Sequence, residues 1–134
     1  MARYLLDTNH VSPLVTETNP LQRKILVSVD EGHSFTICTP ILAEFLFGIG
    51  MLPRAAKNMV EWRKLKPLFP CYRPTEIEAE FAAELQISLR QRGWQLETVD
   101  ALIAAVTLRK NLIFLTTDKD FRAVPNLRTE NWLI

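Results

Sequence analysis

The sequence has few of the features that mark disulfide-rich or strongly basic proteins. Its 134 residues include only two cysteines, Cys38 and Cys71, which lie far apart and form no CxxC pair. This favours a reduced, cytosolic protein without a disulfide framework or a zinc knuckle. The formal net charge is only +1, so contact with nucleic acid needs a local basic patch or a metal that binds phosphate.

Long hydrophobic runs are also missing. The N-terminal run Tyr4-Leu5-Leu6 is interrupted by Asp7, so the sequence predicts no signal peptide. The most apolar longer segment, residues 41–52, contains Glu44 and two glycines and is shorter than the ~20 apolar residues that cross a bilayer. With 48% hydrophobic and 23% charged residues, the composition predicts a soluble cytoplasmic protein with no membrane partner.

Residues 1–134 are predicted to form one domain, because no repeat, low-complexity segment or linker interrupts them. Strand patterns alternate with helix patterns, which indicates βαβ units. The predicted fold class is therefore α/β, a three-layer α/β/α sandwich with a central parallel sheet. The predicted strands are 3–6, 35–38, 71–72, 112–116 and a short one near Trp132. The predicted helices begin near Asn9, at Pro20, after an N-cap at Thr39, at Pro53, after an N-cap at Thr75, and at Thr98.

Two acids follow predicted strands at the point where each strand ends. Asp7 comes directly after the apolar run 4–6, and Asp118 follows the run 112–115 after two threonines. Each alone has a structural explanation, since an aspartate readily starts a turn or a helix. Because ligands bind beyond the carboxyl ends of parallel strands, both acids are also predicted to lie at the edge where a functional site forms.

Two further acids fall in the early turns of predicted helices. Glu44 lies in a strongly apolar helix, where a glutamate requires a partner or a position at a cleft. Asp100 lies in the first turn of the helix that begins at Thr98, where the helix dipole alone would favour it. In a parallel α/β sheet these helix starts share an edge with the strand ends, so we expect the four carboxylates to converge.

Converging carboxylates favour a divalent metal. Two of them ~5 Å apart repel by roughly 3 kcal/mol at an effective dielectric constant of ~20, and they raise each other's pKa. Oxygen ligands without His or Cys suit Mg²⁺ or Mn²⁺. Such a metal binds phosphate oxygens and activates water. The pattern therefore indicates phosphodiester hydrolysis at an acidic cluster of Asp7, Glu44, Asp100 and Asp118.

Four ordered motifs resemble those of the PIN-domain ribonucleases, and most closely the VapC toxins of bacterial type II toxin–antitoxin modules. The motifs are Leu6-Asp7-Thr8-Asn9, Ala43-Glu44-Phe45 with Gly48, Asp100-Ala101-Leu102-Ile103-Ala104-Ala105, and Leu115-Thr116-Thr117-Asp118-Lys119-Asp120-Phe121. Their order and spacing agree with the family over essentially the whole chain. A lone DTN motif is weak support, whereas four motifs in order are specific.

The resemblance implies an endoribonuclease that cuts RNA with Mg²⁺ or Mn²⁺ held by the same four acids. It also implies products with 5′-phosphate and 3′-hydroxyl ends, a homodimer, and a cognate antitoxin, often one that sends a basic side chain into the acidic pocket. Supporting hydrogen bonds to the acids or to metal-bound water would come from Thr8 or Asn9 and from Thr116 or Thr117. Asp120 also follows the last motif, so either Asp118 or Asp120 is the metal ligand there.

Two other functions stay open on the sequence. The first is a catalytically inert PIN-like module that binds RNA or protein, although the presence of all four acids argues against it. The second is a metal-dependent phosphohydrolase of small substrates. Asp7-Thr8-Asn9-His10 lacks the second aspartate, two residues on, that the haloacid-dehalogenase family shows, which argues against this function too.

Basic residues concentrate in the helix predicted after Pro53, which contains five of them and only one acid, Glu61. This pattern predicts either an RNA-backbone patch or a solvated helix face. The residues are Arg54, Lys57, Arg63, Lys64 and Lys66.

Three other groups of residues receive structural interpretations. The apolar segment 42–52 is predicted to be mainly core, with some side chains available to a dimer partner or an antitoxin. His10 is predicted to pack or to be solvated rather than to touch substrate. The tryptophans at 62, 94 and 132 are scattered and receive no functional interpretation.

Overall fold

The computed structural model describes residues 1–16 and 18–133. Within these ranges the chain forms five β-strands and six α-helices, with short 3-10 segments at Ser12–Val15, Lys66–Leu68 and Lys119–Ala123. The strands are β1 (Arg3–Leu6), β2 (Ser34–Cys38), β3 (Cys71–Tyr72), β4 (Ile113–Leu115) and β5 (Thr129–Glu130). The helices are α1 (Thr8–Val11), α2 (Pro20–Asp30), α3 (Thr39–Gly50), α4 (Ala55–Leu65), α5 (Glu76–Gln91) and α6 (Thr98–Arg109). None of these helices is long and apolar enough to cross a membrane.

The five strands are all parallel and lie in the order β3-β2-β1-β4-β5. The register pairs Tyr4 of β1 with Phe35 on one side and with Ile113 on the other. This confirms the predicted α/β class, a three-layer α/β/α sandwich around a parallel sheet. The chain builds the sheet outward from β1 to β3 and then returns to the other side of β1. The resulting switch point between β1 and β4 is where ligands bind in folds of this kind.

The helices form two groups. The first group is α1 to α4, which lie between β1 and β3 in the sequence and pack together around the 3-10 segment Ser12–Val15. The second group is α5 and α6, which lie between β3 and β4 in the sequence and pack on each other. Right-handed crossovers require the two groups to cover opposite faces, since the chain reverses its direction across the sheet. Both α3, which follows β2 directly, and α6, which precedes β4, therefore begin at the carboxyl edge of the sheet.

The middle of helix α6 is buried. Ala101, Ala104, Ala105 and Val106 have no exposed surface, and these small side chains let the helix lie closely between the sheet and α5. The central strands beside it carry equally buried leucines and phenylalanines, each of which contributes ~1.5–3 kcal/mol by burial. Asp100 lies in the first turn of α6, just outside this core, so a well-packed helix fixes its position.

An ion pair between the exposed Arg109 and the buried Glu78 ties α5 to α6. The Thr75 hydroxyl donates to Oε2 of Glu78 at 2.7 Å, and Nε of Arg109 lies 3.3 Å from the same oxygen. The Thr75 hydrogen bond, and with it the Arg109 charge, holds the pKa of Glu78 below its usual value. Thr75 does stand at the N-cap position of α5, but its side chain makes no capping bond and its hydroxyl donates to Glu78 instead.

Several element boundaries differ from the predicted ones; β4, for example, is Ile113–Leu115 and not 112–116. Helix α3 begins at Thr39, so its N-cap is Cys38, because β2 runs into the helix without a loop. Helix α4 begins two residues after Pro53. The last strand ends at Glu130, before Trp132. Trp132 leaves the sheet edge because its ring packs against the rings of Tyr4 and Phe35, with centroids 5.0 and 5.6 Å away.

Candidate active site

Four carboxylates line one cavity at the carboxyl edge of the sheet. The cavity has a volume of about 460 Å³ and lies at the switch point between β1 and β4. The structure thus brings together all four acids that were predicted from the sequence, and each comes from a different element. The wall consists of Asp7, Thr8, Asn9, Glu44, Asp100, Ile103 and Asp118.

Asp7 accepts hydrogen bonds on both carboxylate oxygens. The Thr8 backbone N–H donates to Oδ1 at 2.8 Å, and the Thr116 hydroxyl donates to Oδ2 at 2.7 Å. The Asn9 side-chain amide also donates to Oδ2, at 3.2 Å. The Asp7 backbone N–H donates to the Leu115 carbonyl at 2.9 Å, which extends the pairing of β1 with β4 by one residue. The carboxylate is therefore fixed relative to both central strands.

Thr116 connects Asp7 to Asp118. While its hydroxyl donates to Asp7, the same oxygen accepts the Asp118 backbone N–H at 3.0 Å. Asp118 in turn caps the 3-10 segment after it, since its Oδ1 accepts the Asp120 backbone N–H at 2.8 Å. The turn-forming role that the sequence allowed for Asp118 is therefore present, in addition to its place in the cavity wall.

The two remaining candidates of the last motif stand outside the cavity wall. Asp120 is exposed, so of the two possible ligands in this segment Asp118 faces the cavity. The Thr117 side chain is exposed as well, and Thr117 contributes its backbone N–H to Oδ1 of Asn9 at 3.3 Å. Of the two neighbouring threonines, the one whose hydroxyl supports Asp7 is Thr116.

Glu44 and Asp100 reach the cavity from helices. Helix α3 buries Ile41, Phe45 and Ile49 on one face, and this leaves Glu44 exposed at the cavity. Glu44 therefore lies at a cleft, as the apolar sequence of its helix required. Asp100 lies in the first turn of α6 and is half-buried.

Burial and mutual repulsion raise the pKa of two of these acids. Burial is the largest cause of the raised pKa of Asp100, and the charges of Asp118, Asp7 and Glu44 add to it, so that the pKa is about 6. Burial also raises the pKa of Asp7; the hydrogen bonds that it accepts act in the opposite direction, and the neighbouring acids add to the increase. Without a cation, the cluster is electrostatically unfavourable.

A model of the PIN domain matches residues 4–127 of the sequence. The chain belongs to the PIN-domain family. This confirms the family resemblance that the four motifs indicated, and the match covers each of them.

Relatives cover this PIN domain over almost its full length. Ribonuclease VapC2 from Rickettsia felis is 26% identical over 133 residues, which are 96% of this chain and 97% of that protein. The crystal structure of VapBC2 from Rickettsia felis bound to a promoter DNA fragment superposes with a TM-score of 0.83 and 23% identity, covering 97% of this chain and 98% of that chain. The crystal structure of VapC20 from Mycobacterium tuberculosis, a sarcin-ricin loop cleaving toxin, superposes with a TM-score of 0.65 and 16% identity. The superposition covers 91% of this chain and 95% of that chain.

The donor set of the PIN domain's cavity fits Mg²⁺ or Mn²⁺. In the part of the chain that the structure describes, no three His, Cys, Asp or Glu side chains are placed to hold an ion by themselves. Mg²⁺ commonly keeps several waters and uses one or two carboxylates together with phosphate oxygens, which suits acids spaced around a cavity. The Thr8 hydroxyl oxygen is buried without a hydrogen-bond partner, and a metal-bound water would give it one.

Three residues that support the site were missed by the sequence interpretation. His10 is fully buried and hydrogen-bonds to both Asn9 and the Trp132 backbone. The Trp94 indole N–H donates to the Asp120 carbonyl at 3.2 Å, so Trp94 holds the segment that follows Asp118. The position of His10 directly after the first motif was the one available indication, since single tryptophans carry no pattern.

The structure divides the predicted basic patch. Arg54 and Lys57 line a second cavity of about 210 Å³, whereas Arg63 and Lys64 are exposed outside its wall. Lys64 also lies 3.6 Å from Glu61, which neutralises part of its charge. The rest of the wall is formed by Val15, Thr16, Thr18, Asn58 and Glu61.

Proposed function

We propose that this PIN domain is a metal-dependent endoribonuclease that hydrolyses RNA phosphodiester bonds as the toxin of a toxin–antitoxin pair. The observation that carries the proposal is the convergence of four carboxylates on one cavity at the switch point of a PIN fold. The similarity to Ribonuclease VapC2 supports the reaction class. The solved VapBC complex supports an antitoxin as partner.

The four acids of the cavity wall would hold the metal jointly, directly or through its bound waters; when bound, the metal supplies positive charge at the scissile phosphate and lowers the pKa of water. The hydrogen bonds of Thr116, Asn9 and the Thr8 backbone keep the Asp7 carboxylate in one orientation. The unpaired Thr8 hydroxyl is available to a ligand in the cavity. The raised pKa of Asp100 falls when a cation balances the cluster, so metal binding should release protons.

An antitoxin and a second toxin copy have a suitable surface at the end of α3. Phe47 and Met51 are each more than 70% exposed and Leu52 is half-exposed, whereas Phe45 and Ile49 are in the core. The apolar segment 42–52 therefore contributes to the core and leaves apolar side chains exposed for a partner, as the sequence suggested. A basic antitoxin side chain in the acidic cavity would relieve the same repulsion that a metal relieves. The proposal includes a cytoplasmic location, where the toxin would meet both its RNA substrate and its antitoxin.

Metal dependence is the direct test of the proposed function. The purified protein should cleave a labelled RNA in Mg²⁺ or Mn²⁺ and lose this activity in EDTA, because the acids alone repel the phosphate backbone. The products should carry 5′-phosphate and 3′-hydroxyl ends, which enzymatic end-labelling detects. Unchanged cleavage in EDTA would contradict the assignment. Carboxylate-dependent Mn²⁺ binding without cleavage of any RNA would instead support an inert PIN-like module.

The second cavity makes a separate prediction about RNA binding. Lys57→Glu should weaken RNA binding about 5-fold and reduce the salt dependence of binding by about one charge, because Lys57 would contact a phosphate. Arg128→Glu is the charge-matched control, since Arg128 is exposed and precedes β5 at the opposite edge of the sheet. Fluorescence anisotropy at several salt concentrations measures both. Equal losses in the two variants would mean that only the overall charge matters.

A further inference from the structure

A chain of hydrogen bonds connects the segment after β5 to the Asp7 carboxylate. The Trp132 backbone N–H donates to Nε2 of His10 at 3.1 Å, and Nδ1 of His10 lies 2.6 Å from Oδ1 of Asn9. The Asn9 side-chain amide then donates to Oδ2 of Asp7 at 3.2 Å. We call these three links the His10 relay. It joins residues 122 positions apart in the sequence.

The Trp132 backbone N–H determines the tautomer of His10. A backbone N–H can only donate, so Nε2 must be the unprotonated nitrogen that accepts its hydrogen bond. The imidazole proton is then on Nδ1, where it is donated to Oδ1 of Asn9. The other tautomer would place two donors against each other at Nε2 and two acceptors against each other at Nδ1.

The relay also fixes the orientation of the Asn9 amide. Oδ1 of Asn9 accepts the His10 Nδ1 proton and, at 3.3 Å, the Thr117 backbone N–H. With the oxygen held by two donors, the Nδ2 group must point toward Asp7. A rotated amide would turn its oxygen toward the carboxylate and its N–H groups toward two other donors. His10 therefore acts on Asp7 through the choice between these two amide orientations.

The surroundings of the relay keep it rigid. His10 has no exposed surface, so no water competes for its nitrogens. The Trp132 ring packs against Tyr4 and Phe35, and its indole N–H donates to Glu130 at 2.9 Å. Nζ of Lys24 lies over the same ring, 4.5 Å from its centroid. The backbone N–H at the start of the relay is thus held in place by packing on the sheet.

We propose that His10 is a positioning residue for the candidate metal site: it holds Asn9, and through Asn9 the Asp7 carboxylate, in the orientation that binds the cation. The proposal rests on the proposed function in one respect only, because it takes Asp7 as a metal ligand. Hydrogen bonds behind metal ligands orient them and typically contribute 10- to 100-fold to metal affinity. His10 acts one bond further away, so the lower end of that range applies.

Two substitutions at His10 separate the links of the relay. His10→Asn places an amide nitrogen near the position of Nδ1, so the donor to Asn9 is kept and the acceptor for Trp132 is lost. His10→Gln places its amide near Nε2, so the Trp132 link can form and the donor to Asn9 is lost. We expect His10→Gln to weaken Mn²⁺ binding about 10-fold and His10→Asn by less than about 3-fold. Isothermal titration calorimetry on the folded proteins measures both affinities. Equal Mn²⁺ affinity in the two variants would overturn the proposal.

The wild-type protein gives a test that does not depend on mutant folding. Long-range ¹H–¹⁵N NMR correlations should show His10 as the Nδ1–H tautomer, and a Nε2–H tautomer would overturn the relay. Trp132→Ala keeps the backbone N–H and should preserve this tautomer, whereas Trp132→Pro removes the donor and should lose it. Wild-type protein that shows the expected tautomer but binds no Mn²⁺ would contradict the proposed function. Wild-type protein that binds Mn²⁺ with His10 in the other tautomer would contradict the relay alone.

Discussion

Asp7→Asn is expected to lower metal-dependent RNA cleavage by at least ~10³-fold, because it removes a charge from the centre of the metal site. Asparagine has the size of aspartate but only one acceptor oxygen. Asp7 accepts three hydrogen bonds on two oxygens, so an amide at this position sets its own NH₂ group against at least one donor. The substitution therefore removes charge and also disturbs the orientation of the side chain.

Cleavage rates under single-turnover conditions measure this effect. Asp30→Asn is the matched control, since Asp30 is an exposed aspartate at the end of α2 and outside the cavity wall. Its cleavage rate should stay within about 2-fold of wild type, because surface substitutions away from a site rarely matter. Expression of the wild type in bacteria should arrest growth, and expression of Asp7→Asn should not. Cleavage by Asp7→Asn at the wild-type rate would remove Asp7 from the active site.

Asp100→Asn is expected to stabilise the metal-free protein and to weaken its stabilisation by metal. The pKa of Asp100 is about 6 in the folded protein, above the ordinary value of 3.8. Ionised Asp100 therefore disfavours folding. The loss of stability is absent below pH 3.8, grows as the pH rises, and is complete above pH 6. At pH 7.5 the variant should gain about 1–2 kcal/mol after allowance for solvent screening, or roughly 3–8 °C in Tm.

Mn²⁺ should make the wild type more stable than Asp100→Asn. Mn²⁺ at ~100 times its Kd stabilises the wild type by about 2.7 kcal/mol, whereas Asp100→Asn has lost a ligand and should gain less. Thermal unfolding at pH 4, 6 and 7.5, with and without Mn²⁺, measures both effects, again with Asp30→Asn as the control. A lower metal-free Tm for Asp100→Asn at pH 7.5 would mean that the carboxylate has a structural hydrogen-bonding role.

The pH series has to be interpreted together with His10. Burial, and secondly the charge of Lys24, lowers the pKa of His10 from 6.5 to about 4. Its contribution to stability is therefore complete above pH 6.5 and is lost as the pH falls toward 4. This slope is opposite in sign to that of Asp100 between pH 4 and 6, so the two partly cancel in the wild type. In Asp100→Asn, the decrease in stability that His10 causes as the pH falls from 6.5 toward 4 should become visible.

Much of the fold and of the acidic cavity could be predicted from the sequence because both depend on local patterns. An apolar run that ends at Asp7, and another that ends before Asp118, specify two parallel strands and the edge at which they end. The topology does the rest: once helices alternate with strands, the starts of α3 and α6 lie at that same edge. Glu44 and Asp100 could therefore be assigned to one cavity without any knowledge of their contacts.

Asn9 and Thr116 were expected to support the cavity, but the roles of His10, Trp94 and Trp132 could not be predicted because they depend on contacts across the fold. His10 and Trp132 have no sequence pattern that relates them, and their link requires β5 to end where it does. Only Arg54 and Lys57 of the basic residues line the second cavity, together with Val15 of the 3-10 segment Ser12–Val15. No hydrophobic periodicity in the sequence predicted this segment. Thr39 has the character of an N-cap residue, yet the direct continuation of β2 into α3 makes Cys38 the cap. Local propensity was overridden by the strand.

The central position of β1 also bears on protein synthesis. Asp7 is made 109 residues before its partner Thr116. A nascent chain that has reached Asp100 contains Asp7, Glu44 and Asp100 but has neither β4 nor Asp118, so the strand that carries Asp7 lacks a neighbour on one side. The cavity cannot close around an ion until β4 and Asp118 have been made and β4 has paired with β1. The order of the elements along the chain therefore delays the assembly of the acidic cavity during synthesis.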